Sequence, residues 1–91
     1  MVEERVKFKV GDLVTPTNGA GCDLYTDSFA EKFPHYVRNA LTGNEMKFGE
    51  IGTILEIKRI NTNISSDNLF KILTSNSGVG WVYEHWMEKV E

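Results

Sequence analysis

Cysteine occurs once in these 91 residues, at position 22. A lone thiol closes no internal disulfide, so packing and hydrogen bonds must hold the fold. Cys22 also lacks a sequence context that supplies a base and a group to orient it, so nucleophilic catalysis is not expected. The only histidines are His35 and His85. Together with Cys22, Asp23 and Asp27 they show none of the short, rigid spacings of a metal site, and neither metal nor cofactor is expected. Long apolar runs are missing as well, so no segment is expected to span a membrane. Residues 1–5 are charged where a signal peptide would have its apolar stretch, and a cytoplasmic location follows as an expectation. There is no basic excess: 10 Lys and Arg stand against 13 Asp and Glu, with the signs interspersed. Nucleic-acid binders need a basic stripe to displace counterions, so this balance disfavours them without excluding them. Gly19-Ala20-Gly21 has no following lysine-serine/threonine pair and is not read as a phosphate loop. Alanine and arginine are scarce while asparagine is frequent, a bias compatible with a phage or a low-GC bacterium.

What is present is enough apolar surface for one folded domain. The chain is 41% hydrophobic, and ten aromatics make up 11% of it. Gly11-Asp12 is a turn, and Leu13-Val14-Thr15 a short strand ended by Pro16. Residues 17–48 interrupt the strand pattern. Ser28-x-x-Glu31 reads as a capping box, with Phe29, Ala30 and Phe33 on one helical face. One or two short helices are expected here, the second over His35–Leu41 with Gly43 as its terminator. This excursion is long for a compact domain and is expected to be less stable than the rest. Strands are expected at 51–60, 69–74 and 79–83, with Ser75–Gly78 as a hairpin turn. Glu84–Met87 is one helical turn, and Glu88–Val90 the last strand. The fold expected is mainly β: a small five-stranded barrel with a helical insertion, about residues 17–48, after the first strand. Trp81 is expected in its core with Val14, Ile54, Ile57, Ile72 and Met87.

The run Gly80-Trp81-Val82-Tyr83-Glu84-His85-Trp86-Met87 resembles the closing signature of SH3 domains. Trp81 and Val82 stand at its two apolar positions and Trp86 at the family's groove tyrosine. Tyr83 replaces the family's proline, and the Ala-Leu-Tyr-Asp-Tyr-like strand is absent. Gly11-Asp12-x-Val14, Gly52-Thr53-Ile54 and Gly78 to Trp81 are closer to bacterial and phage SH3-like or KOW-like barrels. That resemblance covers about two-thirds of the chain. It implies an SH3-like barrel but no single activity, since this fold hosts many.

Binding rather than chemistry is therefore the function expected. A barrel this small buries about one tryptophan fully, which leaves Trp86 at the rim as an anchor. Tyr83, Tyr36, Tyr25 and Arg38 are the other candidate contact residues. Residues 22–48 either fold back over this groove or leave it open. The expected role is a non-enzymatic protein-interaction module, a phage-encoded accessory or inhibitor docking on a host protein. A KOW-like nucleic-acid or ribonucleoprotein binder using Lys7, Lys9, Lys58, Arg59 and Lys71 is the second reading. A third is a nucleotide-sequestering protein with a pocket of Tyr25, Tyr36, Arg38 and Trp86.

Overall fold

The computed structural model describes residues 8–33, 35–59 and 68–90. Seven strands form one antiparallel, curled sheet: β1 (Leu13–Pro16), β2 (Cys22–Tyr25), β3 (Leu41–Met46), β4 (Gly52–Lys58), β5 (Leu69–Thr74), β6 (Val79–Tyr83) and β7 (Met87–Lys89). Their order across the sheet is β3-β2-β6-β5-β4-β1-β7. One short helix, α1 (Asp27–Lys32), and one 3₁₀ turn, Glu84–Trp86, complete the described elements. The turn carries the chain from β6 to the far edge, where β7 pairs with β1.

The expectation of five strands is corrected to seven. The segment between β1 and β4 holds one helix and two strands, β2 and β3, which pair with each other and extend the sheet beyond β6. Strand β6 would otherwise be an edge with unpaired backbone groups. The expected second helix is replaced by residues 35–40 without helix and then β3. The Thr26 amide donates to the Ala40 carbonyl at 2.8 Å, and Tyr25 pairs with Leu41. Gly43, expected to stop a helix, sits inside β3 at φ +91°, a conformation that favours glycine. Sheet pairing outweighed the local apolar spacing. The helix cap moves too. Thr26, still extended at the end of β2, accepts from the Phe29 amide at 3.3 Å, while its hydroxyl donates to the Asn39 carbonyl at 2.7 Å. Ser28 lies inside α1.

Alternation along the strands splits the apolar side chains between two faces. The concave face holds the larger cluster: Val14, Cys22, Leu24, Met46, Ile54, Phe70, Ile72, Val82 and Met87. Gly80 lies beneath Leu24, and a Cβ there would stand 2.5 Å from the Leu24 Cβ. The outer face carries a second cluster of Phe29, Ala30, Leu69 and Trp81, made by α1 lying on β5 and β6. Trp81 is buried as expected, at 6% exposure, but in this outer cluster and not with Val14, Ile54, Ile57, Ile72 and Met87. The register explains it. Trp81 pairs with Lys71 and Tyr25, whereas Val82 pairs with Phe70 and faces inward.

Candidate aromatic contact face

The 3₁₀ turn places Trp86 where the two clusters meet. Its side chain packs against the inner cluster, while Tyr25 and Tyr83 pack against the outer one. Tyr83 meets Trp86 edge-on at 4.8 Å, and Tyr25 stacks on Trp86 at 6.1 Å. Tyr25 also stacks on Phe29 at 4.2 Å and meets Tyr83 edge-on at 5.7 Å. His85 stacks on Tyr83 at 5.4 Å, and Phe33 meets Tyr83 edge-on at 5.8 Å. Offset and edge-on rings at these separations hold one another in place beyond their burial. Tyr25, Phe33, Tyr83 and Trp86 are only partly buried and His85 is exposed, so the rings form one semi-rigid aromatic face. Burial first, then the neighbouring Tyr83, raises the Tyr25 phenol above its ordinary range. It stays neutral and can donate a hydrogen bond at neutral pH.

Three of the five expected contact residues, Tyr25, Tyr83 and Trp86, are thus brought together. Tyr36 and Arg38 stand apart in the connection between α1 and β3. Tyr36 is 88% exposed and joins none of the ring pairs among the described residues, and Arg38 is exposed. Tyr25, Phe29 and Phe33, all from the segment between β1 and β4, supply part of the aromatic face. Phe29, Phe33 and His85 were not expected there. The four-residue spacing of Phe29 and Phe33 announced an apolar helical face, but which surface receives it depends on where α1 docks.

Beside this face the charges are largely paired. Trp81 Nε1–H donates to Asp27 Oδ1 at 2.6 Å. Lys71 Nζ lies 3.4 Å from the same carboxylate and 3.6 Å from Glu56. The Trp81 hydrogen bond, followed by Lys71, holds the Asp27 carboxyl below its ordinary range. Lys58 donates to the Ala30 carbonyl at the end of α1. Of the five cations considered for a phosphate-binding face, Lys71 is ion-paired, Lys58 is hydrogen-bonded to backbone and Lys7 lies outside the described residues. A shallow groove of about 470 Å³ runs between α1 and β4–β5, bordered by Asp27, Glu31, Glu56, Lys58, Lys71 and Trp81. None of the four residues considered for a nucleotide pocket borders this groove.

Cys22 is buried in the inner cluster, and burial, followed by Asp23, Glu50 and Glu45, pushes its thiol up to about 11. It is an inert core side chain at neutral pH. Among the described residues, no group of three or more His, Cys, Asp or Glu is placed to hold a metal ion, and no helix is long and apolar enough to cross a membrane. Comparison of the chain with protein-family models, curated proteins and solved structures finds no match.

Proposed function

We propose that this chain is a non-enzymatic binding module that docks on another protein through the aromatic face of Tyr25, Tyr83 and Trp86. The observation that carries this reading is the construction of that face. Rings from β2, β6 and the 3₁₀ turn hold one another by stacking, yet each stays partly in solvent. Preordered aromatic side chains with part of their surface exposed are typical binding anchors, because little freedom remains to be lost on binding. The chain's excess of carboxylates suits a partner surface that is basic or mixed in charge. We further read the sheet as an SH3-like barrel elaborated by β2, α1 and β3. Support for this comes from β6, β5, β4, β1 and β7. They are consecutive neighbours, correspond to the five strands read from the sequence, and keep one helical turn before the last strand.

The test is affinity capture from a cell lysate with mass spectrometry and nuclease controls, repeated with variants. Trp86→Ala keeps the backbone hydrogen bond from the Thr17 amide to the Trp86 carbonyl and should retain a cooperative melt. It should weaken capture about thirtyfold, equivalent to roughly 2 kcal/mol. Reversing Lys58 and Arg59 should change capture only modestly. Release of the partner by nuclease, with Trp86→Ala silent and the charge reversals abolishing capture, would move the function to nucleic acid.

A further inference from the structure

We propose that the half of the sheet's outer face left uncovered by α1 is a contact surface between two copies of this chain. The register lines up Leu13, Thr53, Leu73 and Val79 as one row across β1, β4, β5 and β6. Alternation puts this row opposite the inner cluster, with Ile51 on the same side just before β4, and Leu55 is the exposed extra residue where the β4–β5 register shifts. Leu13, Ile51, Leu55, Leu73 and Val79 are each 38% to 48% exposed. The neighbouring part of the same face carries Leu69 and Trp81, which α1 covers. One half of the face has its second layer, and on the other half this largely apolar row is covered by none of the described residues.

The size of this patch suits a second copy. Five half-exposed aliphatic side chains offer about 400 Å² of apolar surface per copy, the size of the largest patch on an ordinary monomer, which is often a functional one. Two copies face to face would bury about 800 Å² from these side chains alone. With the usual polar share, the whole interface comes to roughly 1,300 Å², at the low end for specific pairs. Charge opposes association of two copies overall but places no obstacle at the row itself. Copies with a net charge of −3 repel, and this row contains no ionisable side chain. Lys71, bordering it, is already held by Asp27 and Glu56. A two-fold axis along the row, perpendicular to the strands, lays each outward residue of the row over its counterpart and carries α1 of each copy towards the opposite strand ends of the other. The row is therefore compatible with an isologous contact, made as one sheet packed on another.

Sedimentation velocity of the full chain over roughly 5–500 μM tests this. The expected result is a monomer–dimer equilibrium with a dissociation constant of about 10–100 μM. Leu73→Lys should raise that constant about tenfold or more, because it places an unpaired ammonium in the contact. Leu13→Lys, at the far end of the row, should do the same, and both should melt like the parent when dilute. Amide shifts that change on dilution should fall on the outward positions of β1, β4, β5 and β6. A chain that stays monomeric throughout overturns the proposal and leaves the patch to a different protein. So does a dimer indifferent to both lysine variants. A dimer lost in Trp86→Ala but kept in Leu73→Lys would place self-contact on the aromatic face instead.

Discussion

Replacing Trp81 with alanine removes the side chain that fastens α1 to the sheet. An indole carries about 150–250 Å² of surface, and this one is 6% exposed against Phe29, Ala30 and Leu69. At about 25 cal/mol per Å², less what alanine keeps, its loss amounts to roughly 3–5 kcal/mol. The hydrogen bond to Asp27 adds little. The Asp27 side chain is 71% exposed, so water takes the place of the indole N–H. A domain of this length has a total stability of about 5–14 kcal/mol. Trp81→Ala should therefore melt about 15 °C or more below the parent, or be unfolded at room temperature. Trp81→Phe keeps most of the ring and should cost only about 1–2 kcal/mol. Urea titration followed by circular dichroism separates them without relying on tryptophan emission. If Trp81→Ala melts within about 3 °C of the parent, the outer cluster does not support the fold as argued. Equal losses in the two variants would assign the effect to the hydrogen bond rather than to burial.

Glu50 is 8% exposed, and its carboxylate accepts from the Lys47 and Asn76 amides and the Ser77 hydroxyl. Burial alone would raise its pKa, but these donors together hold it below the ordinary carboxylate range. A depressed folded pKa means its contribution is complete above the unfolded value and is lost as pH falls through the folded one. Acid titration of stability should show that loss, and Glu50→Gln should abolish it while lowering stability at neutral pH. Cys22, with its thiol raised to about 11, should react with an aromatic disulfide reagent at pH 8 no faster than the domain opens. Rapid stoichiometric labelling of the folded chain would contradict its burial. Gly80→Ala drives a Cβ into Leu24 and should cost about 1–3 kcal/mol in a denaturant titration. A neutral result would show that β2 can shift away from β6. Hydrogen exchange should find the Leu24 amide protected like those of β5, but residues 35–40 exchanging early, a revision of the uniform lability expected for residues 17–48. Exchange of Leu24 as early as those residues would detach β2 from the core.

Strands β4, β5 and β6, the hairpin turn at Gly78 and the 3₁₀ turn before β7 were legible in the sequence itself. Their β-branched runs, their glycine and their aromatic spacing act over a few residues, and no distant partner is needed to decide them. The presence of a helix at Phe29 was legible for the same reason, though not its cap. Thr26 was chosen because its hydroxyl also reaches Asn39, thirteen residues on. Residues 35–46 misled because their spacing suits a helix locally, while the open flank of β6 offered backbone partners to β2 and, through it, β3. Such pairings join residues far apart in the chain, and no local pattern encodes them. The aromatic face divides in the same way. Tyr83 and Trp86 are three residues apart, so one turn brings them together, but Tyr25 joins them only because β2 lies on β6. Alternation placed Trp81 and Val82 on opposite faces of the sheet. Only the docking of α1 decided that the outer of those faces would be a core as well, and how much of it would stay bare.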